Sequence, residues 1–473
     1  MSGPEGRVET EDVQSLLLAG YPDHDGAVFL RMDVESPGSA DDARRSLAKL
    51  VNDPKGIGFG RSAKREEVVH LAFSAKGLAA VGLDEEVIDS FPLPFLEGMG
   101  RRSVVLGDVG DNRWGLWKWG GRSGLPDALV LVYAKEQAAA EERARALGDE
   151  SAGWSLAPLP TPSRLRLSGE RAFREHFGFV DGIANPRLVG LDDEDARPEN
   201  AIAPGEFLLG YTNESDEYPA SPRVAPGGGR GTVLPDGDFG RNGSFLVVRQ
   251  LEQDVAGFWS FLLEQADKDR ERAIWMASKM VGRWRNGAPL TRWRRFEPPG
   301  EHHMDDDFLY AGDERGFGCP IGSHVRRTNP RDASPKLSPA LSLASTRKRR
   351  LLRRGRSYGP PFPGWPDPAK IVEAAPDGQE RGLHFLCFCA NLVDQFEFVQ
   401  QSWVNARHFG GLVNDPDPLL CNESELGSHV ASDFTIQDEP LSRRIHGLRQ
   451  FVTLRGGGYF FMPGRRALRY IAG

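Results

Sequence analysis

Short apolar runs alternate with amphipathic stretches along the N-terminal part of the chain. Residues 26–32, 68–73 and 128–133 are short and mostly apolar, a pattern that predicts buried β-strands. Helical spacing begins after Ser39, a candidate N-cap, and returns in the alanine- and glutamate-rich stretch 136–147. A strand, a helix, further strands and a second helix in this order predict a ferredoxin-like unit.

A similar series of patterns returns in the second half of the chain. An apolar run at 243–249 precedes an amphipathic helix that begins near residue 254. A further apolar strand at 384–389 is followed by helical spacing over 394–404. We therefore predict an α+β fold of two ferredoxin-like units, each an antiparallel sheet with helices packed on it, in an arrangement similar to a dimeric α+β barrel.

The composition of the chain between these patterns predicts where the units begin and end. Residues 190–242 are rich in glycine, proline and acidic residues, which is typical of a long connection or lid. The predicted divisions are a flexible lead-in at 1–25, an N-terminal unit at 26–189, a connecting or lid segment at 190–242 and a C-terminal unit at 243–473.

Composition and charge exclude several classes of protein. The 473 residues are 39% hydrophobic and 27% charged, which is ordinary for a soluble globular protein. A net charge of -8 argues against general nucleic-acid binding, and no apolar run is long enough to span a bilayer. The first residues lack the basic and apolar regions of a secretory signal, so we expect a cytoplasmic protein. Four cysteines are too few for a disulfide framework, and Cys387 and Cys389 are predicted to be buried reduced thiols.

The segment 178–186 places one carboxylate, that of Asp181, among glycines and apolar residues. Glycine allows the backbone to approach a large flat ligand closely. A carboxylate with few polar neighbours suits proton transfer better than surface solubility. The alternative is a turn in which the Asp181 side chain only hydrogen-bonds its own backbone.

A second motif, residues 319–331, combines a single histidine with several cations. His324 follows a turn of small residues, and the sequence from Asn329 through Pro330 to Arg331 predicts a fixed turn that aims a guanidinium. A lone histidine is more often structural than a ligand. A neutral imidazole beside fixed cations nevertheless suits a metal macrocycle with carboxylate arms.

A third motif is the basic run 347–356, which contains seven Lys or Arg residues. Such a run is usually a solvated face, and it also matches a nucleic-acid patch or localisation signal. The acidic balance of the chain and the apolar pair Leu351 and Leu352 weaken the nucleic-acid interpretation. A strand that enters a pocket here would deliver Arg353 to its interior.

In this order the three motifs resemble those of the dye-decolorizing (DyP-type) haem peroxidases. The matching patterns are Gly-Phe-x-Asp-Gly at 178–182, Gly-x-His-x-Arg-x-x-Asn-Pro-Arg at 322–331 and Leu-Arg-Arg-Gly at 352–355. Further segments that look like the family are 95–99, 106–108, 204–211, 395–400 and 455–461. The resemblance covers most of the chain, and the length and inserts are similar to those of the larger bacterial subgroup.

The resemblance implies a role for each matching residue. His324 would be the axial ligand of haem iron, Asp181 the distal acid–base residue and Arg353 the distal cation. The remaining residues expected to contact haem are Gly182, Ile183 and Ala184 along its edge and Asn329, Pro330 and Arg331 on the proximal side, with Arg331 a candidate for propionate pairing. An acidic partner of the axial histidine is expected at the position aligned with Asn391, and asparagine there would leave His324 less basic.

The implied activity is a haem peroxidase. One haem b per chain would reduce hydrogen peroxide and oxidise bulky dyes, phenolics or other organic donors through a ferryl intermediate. A carboxylate beside a fixed cation has a depressed pKa, so we expect an acidic optimum for dye oxidation. A homo-oligomer, or residence within a larger protein shell, would also be compatible with the resemblance.

Two other functions compete with the peroxidase. A non-catalytic haem carrier, or a deferrochelatase that releases iron from haem, would keep His324 but would need no pair of Asp181 and Arg353. A metal hydrolase could use His302 and His303 with the acidic residues 305–307, but that cluster lacks metalloprotease spacing.

Overall fold

A computed structural model of the chain describes residues 7–61, 65–191, 200–224, 234–334, 336–420 and 432–473. The strands in these ranges are β1 (Gly26–Val34), β2 (Glu67–Phe73), β3 (Ala128–Ala134), β4 (Trp154–Pro158), β5 (Pro162–Ser163), β6 (Arg187–Leu188), β7 (Ala201–Ile202), β8 (Ser244–Gln253), β9 (Leu352–Arg353), β10 (Arg356–Tyr358), β11 (Gly382–Cys389), β12 (Ser432–Ile436), β13 (Arg443–Leu448) and β14 (Val452–Met462).

The α-helices in the same ranges are α1 (Ser15–Leu18), α2 (Ala40–Asn52), α3 (Ala75–Ala80), α4 (Glu85–Asp89), α5 (Leu93–Arg101), α6 (Gln137–Glu150), α7 (Val255–Gln265), α8 (Arg270–Val281), α9 (His324–Thr328), α10 (Pro339–Arg347), α11 (Pro368–Glu373) and α12 (Arg465–Ala472). The helix predicted over 394–404 is present as two wider π-helical segments, Leu392–Glu397 and Val399–Val404. None of the helices in the described ranges combines the length and the apolar character that crossing a membrane requires.

One antiparallel sheet contains two units with the same strand order. The first unit has the order β4-β1-β3-β2, and the second has the order β14-β8-β11-β10. Counted along the chain within each unit, both orders are 4-1-3-2, which is the ferredoxin-like arrangement. The two units meet where Phe73 of β2 pairs with Phe461 of β14. The predicted α+β fold of two ferredoxin-like units is confirmed.

The two units share their cores. Phe29 and Tyr133 of the first unit lie in one buried cluster with Leu246 and Phe388 of the second, and none of the four is more than 1% exposed. The helices α2, α5 and α12 pack on the opposite face of the sheet. Every residue of β3 is buried, because this strand is covered on both faces, and its sequence is correspondingly a continuous apolar run.

The segment before β1 differs from the predicted flexible lead-in. Residues 1–6 lie outside the described residues, but from residue 7 onward the chain packs against the sheet. Val13 and Leu16 have no exposed surface, and the Tyr21 ring stacks on Tyr133 at 5.4 Å between centroids. The short helix α1 buries Leu16 and Leu17 in the core, and Val13 is buried in the extended segment that precedes it.

The other predicted divisions remain predictions, although two features of the structure bear on them. β5 lies within the range assigned to the N-terminal unit, yet it pairs with β10 of the second unit. The connecting segment falls partly on residues 192–199 and 225–233, which are outside the described residues. Its described part contributes Phe207 and Leu208, both fully buried, to the shared core.

Candidate active site

A cavity with two adjoining lobes lies beside β8, β11 and β14. The lobes hold about 1160 and 1000 Å³ of empty space, including the part open to solvent. His324 and Arg353 line both lobes, so the second and third motifs meet at one place. The other residues that line both lobes are all apolar: Ala184, Leu251, Val325, Phe385, Leu420 and Val452. A large cavity that combines apolar walls with convergent polar side chains is typical of a cofactor site.

His324 is the first residue of α9, and its imidazole is held by a buried carboxylate. Nδ1 of His324 lies 2.8 Å from Oδ2 of Asp417, whose side chain has no exposed surface. The other oxygen of Asp417 accepts hydrogen bonds from the backbone N–H groups of Leu419 and Leu420, each at 3.0 Å. Burial would raise the pKa of Asp417, but His324, Arg327 and these N–H donors outweigh it and hold that pKa below its ordinary value.

The position expected to hold the acidic partner of His324 was assigned wrongly. Asn391 is exposed and caps the following π-helical segment, since its Oδ1 accepts a hydrogen bond from the backbone N–H of Asp394. The carboxylate that contacts His324 is Asp417, in a loop after that segment. The concern that asparagine at 391 weakens the basicity of His324 therefore does not apply.

Asp181 and Arg353 face each other at the same cavity. Oδ1 of Asp181 is 3.7 Å from Nη1 of Arg353, and the two side chains are 37% and 33% exposed. Gly182, which follows Asp181, has φ +81°, a conformation that favours glycine. Asn185 joins the two elements, since its Oδ1 accepts the backbone N–H of Arg353 at 3.0 Å and its Nδ2 donates to the carbonyl of Gly182 at 3.3 Å.

Arg353 reaches the cavity because of the alternation of side chains along β9. Leu352 is buried in the shared core, whereas Arg353 points to the other side and lines the cavity. β9 is held in place by β11, where Arg353 is opposite Cys387. Cys387 and Cys389, two apart on β11, are buried and form no disulfide, as predicted.

Most of the basic run makes internal contacts rather than a solvated face. Arg347 pairs with Glu214 at 2.6 Å, and Arg349 pairs with Asp394 at 2.8 Å. Arg354 donates to the carbonyls of Leu16 and Leu17. These contacts occupy much of the run, and the absence of nucleic-acid binding stays a prediction.

Five of the six residues expected along haem, besides His324 and Arg353, line the cavity. These are Gly182, Ile183, Ala184, Asn329 and Arg331, whereas Pro330 is buried and does not line either lobe. The Arg331 guanidinium is already bound by the Asp306 carboxylate and by the Phe308 carbonyl. Arg331 is therefore a weaker candidate for propionate pairing than its place in the motif indicates.

Arg350 is a cavity residue that sequence reasoning missed. It is 6% exposed, lines the larger lobe and has an Nη2 that finds no acceptor among the described residues. Nδ2 of Asn329 and Nε of Arg331 also find no acceptor among the described residues. Three unsatisfied donors at one apolar cavity fit a flat cofactor with carboxylate arms. No local signal separated Arg350 from the rest of the basic run.

The competing metal site is not assembled. His303 lies near Glu301 and Asp305 pairs with Arg292, so the cluster is occupied by ion pairs. Among the residues that the structure describes, no group of three or more His, Cys, Asp or Glu is placed to hold a metal ion.

Several known proteins are similar to this chain. No protein-family model matches the chain. Peroxidase 2 of Mycetinis scorodonius is 29% identical over 433 residues, which cover 85% of this chain and 75% of that protein. The multifunctional dye peroxidase DyP2 of Amycolatopsis sp. is 32% identical over 307 residues, 62% of this chain and 60% of that protein. These relatives include fungal and bacterial proteins, so they do not single out a bacterial subgroup.

A solved structure of a dye-decolorizing peroxidase in complex with 2,6-dimethoxyphenol shows the same fold, with a TM-score of 0.77 and 22% identity over 98% of this chain and 100% of that one. A deferrochelatase of Yersinia pseudotuberculosis matches only 53% of this chain, at 24% identity. The relatives that cover most of the chain are peroxidases. Fold, motifs and similarity agree that the chain resembles the dye-decolorizing peroxidases over most of its length.

Proposed function

We propose that the chain binds haem b, one per chain, and reduces hydrogen peroxide with electrons from dyes, phenolics or other organic donors. The observation that carries the proposal is the pairing of Asp181 with Arg353 at the cavity that His324 lines. A carrier of haem needs the histidine and the cavity but not this pair. The alternative of a haem carrier or deferrochelatase is therefore not favoured.

His324 is suited to hold the iron through Nε2, because Nδ1 is engaged by Asp417. This hydrogen bond fixes the orientation of the ring and makes the imidazole a stronger donor. Arg350 and Asn329 offer free N–H groups to the carboxylate arms of the cofactor. Haem, when bound, supplies the redox chemistry, and the protein supplies orientation, charge and protons.

Asp181 and Arg353 have different roles in the reaction with hydrogen peroxide. The Asp181 carboxylate accepts the proton of one peroxide oxygen and returns it to the other, which leaves as water. The Arg353 guanidinium stabilises the negative charge that develops on the leaving oxygen. Their separation of 3.7 Å places base and cation close enough to act on one small molecule. An acidic optimum remains a prediction, and a rate that peaks well above neutral pH would count against Asp181 in this role.

Optical spectra of the haem-loaded protein, before and after one equivalent of hydrogen peroxide, test the proposal. The wild type should show a haem band that changes with peroxide. His324→Ala should lose or alter that band, whereas His446→Ala, at a side chain 71% exposed on β13, should not. A bound haem that ignores peroxide would favour the carrier, and no haem uptake at all would reject the assignment.

Variants of the distal pair complete the test. Asp181→Asn and Arg353→Leu should retain the haem band and lose about 100-fold to 10,000-fold in peroxide turnover. Cytoplasmic location, a homo-oligomer and an enclosing protein shell remain predictions, which cell fractionation and light scattering would check.

A further inference from the structure

A wide vestibule opens onto the distal pair. It shares Asp181, Arg353 and Phe385 with the haem cavity and holds about 1920 Å³ of empty space, including the part open to solvent. Such a space is far larger than hydrogen peroxide needs. The vestibule therefore has room for an organic molecule beside the residues that carry the chemistry.

Arginine is the most frequent residue in the lining of this vestibule. Besides Arg353, its lining includes six arginines: Arg164, Arg166, Arg171, Arg174, Arg354 and Arg356. The carboxylates of the same lining are those of Asp23 and Asp181. Seven cations against two anions on the described lining give a positive potential, which a low-dielectric wall concentrates.

Neighbouring carboxylates cancel only part of this charge. Arg174 is paired with Glu170 at 2.6 Å, and Arg166 is 3.8 Å from Asp25. Arg164 donates instead to the carbonyl of Tyr21 at 2.8 Å, and a carbonyl does not neutralise a cation.

Arg356 is likewise hydrogen-bonded to carbonyls, which do not neutralise its charge. It donates to the backbone carbonyls of Asp25 and His24. Burial, with the charge of Arg356, lowers the pKa of Arg164 to about 9, and burial lowers that of Arg356 to about 10. A bound anion would relieve both effects.

Two buried donors of the vestibule have no acceptor. Arg356 is only 4% exposed, and its Nε finds no partner among the described residues; the same is true of Nε of Arg164. The guanidinium carbons of Arg164 and Arg166 lie 4.0 and 4.2 Å from the centroid of one ring, that of Phe173. Stacking on this ring fixes both cations without neutralising them.

We propose that the vestibule recognises the carboxylate or sulfonate group of an organic co-substrate and places the rest of that molecule against Asp181 and Arg353. The inference rests on the proposed peroxidase function and adds the charge of the substrate to it. In turnover, two phenolic donors each give one electron and one proton to one hydrogen peroxide, which leaves as two water molecules. The anionic group is unchanged. An anionic organic hydroperoxide would take the same electrons and protons and leave as an alcohol and water.

The test compares anionic with neutral co-substrates in two arms. The donor arm uses hydrogen peroxide with 4-hydroxy-3-methoxybenzoate or with the corresponding benzyl alcohol. The peroxide arm uses the neutral donor with tert-butyl hydroperoxide or with a tertiary hydroperoxide that carries a carboxylate. The quantity compared is the anionic-to-neutral ratio of kcat/KM, which cancels a general loss of activity.

The variants are Arg166→Gln and Arg164→Gln. Two are used so that the test survives if one of them fails to fold. Arg315→Gln is the matched control, because Arg315 also stacks on a phenylalanine, at 4.7 Å from the Phe317 centroid, and pairs with Glu439 outside the vestibule. We expect the ratio to fall about threefold to tenfold in the vestibule variants only, and to fall with added salt in the wild type.

A change confined to the donor arm assigns the anion to the reductant, and a change confined to the peroxide arm assigns it to the oxidant. A ratio that stays constant in both arms overturns the proposal. Calorimetric titration with benzenesulfonate separates this failure from failure of the peroxidase function, since it needs no turnover. Wild-type binding that Arg166→Gln weakens supports the vestibule, and no wild-type binding rejects it.

Discussion

Nδ1 of His324 and Oδ2 of Asp417 are 2.8 Å apart, although 93 residues separate them in the sequence. The Asp417 carboxylate is fully buried and holds two backbone N–H groups with its other oxygen, so it cannot turn away from the imidazole. This rigid contact decides which nitrogen of His324 faces the cavity.

Replacing Asp417 by asparagine should weaken the hold on the cofactor. An uncharged amide polarises the imidazole less than a carboxylate does. Its NH₂ group would also replace one of the two acceptor oxygens, so that a donor would face either His324 or the backbone N–H groups that now bond to Asp417. We expect Asp417→Asn to lose about 10-fold to 100-fold in haem affinity or activity and to have a more positive reduction potential. Potentiometric titration and the rate of haem loss measure these effects.

The matched control is Asn391→Ala, at the position that sequence comparison first indicated. Because Asn391 is exposed and bonded to Asp394, its loss should leave the potential unchanged. Equal reduction potentials in Asp417→Asn and the wild type would show that the carboxylate does not change how strongly His324 donates to the iron.

The link through Asn185 predicts a second effect on catalysis. Asn185→Ala removes the acceptor of the Arg353 backbone N–H and frees the turn at Gly182. Both catalytic side chains would remain, but their relative placement would loosen, which we expect to cost about tenfold in kcat/KM for peroxide. Asn185→Asp retains an oxygen for Arg353 and should recover most of the rate. Steady-state kinetics and an unchanged haem spectrum would distinguish this from a folding defect, and full activity in Asn185→Ala would contradict it.

Local pattern predicted the sheet well because burial on both faces leaves a continuous apolar run. The stretch 128–133 became β3, and 68–73 became most of β2. Asp181, His324 and Arg353 were also found, since glycine, turn and strand signals surround each of them. The three side chains line one cavity, and their roles at that cavity stay predictions.

Contacts between distant segments could not be predicted in this way. Asp417 lies in a polar loop with no periodicity, and only the fold brings it to His324. Arg350 belongs to the same basic run as the half-buried Arg347 and Arg349, and only the fold buries it. Arg331 had the right motif, but its guanidinium is already bound by Asp306, a contact that no local pattern predicts.

A buried ion pair at the far end of the larger lobe predicts an effect on stability. Arg249 donates to both oxygens of Asp108 at 2.9 and 2.7 Å, and the two side chains are 6% and 1% exposed. Asp108→Ala leaves the Arg249 charge buried without a partner, so we expect a loss of about 3–5 kcal/mol in the free energy of unfolding. Denaturant titration measures it. The double variant Asp108→Leu with Arg249→Met should recover much of the loss, and equal losses in the single and double variants would rule out this explanation.

Glu175 predicts how stability depends on pH. It lines the smaller lobe, and its carboxylate accepts hydrogen bonds from the backbone of Phe177 and Phe179 and from Gln253. Burial nevertheless raises its pKa from 4.5 to about 7. The folded chain therefore binds this proton more tightly than the unfolded chain. Its contribution to stability is present below pH 4.5 and is lost as the pH rises toward 7.

Glu175→Gln removes this titration. Relative to the wild type, the variant should gain stability between pH 4.5 and 7, by up to about 3 kcal/mol, even though it loses hydrogen bonds at every pH. Denaturant midpoints of the haem-free protein across this range measure the difference, with Glu264→Gln on the exposed face of α7 as the control. Parallel curves for Glu175→Gln and the wild type would mean that Glu175 does not keep its proton near neutral pH. Divergent curves would identify a buried carboxyl group that titrates beside Asp181 between pH 4.5 and 7.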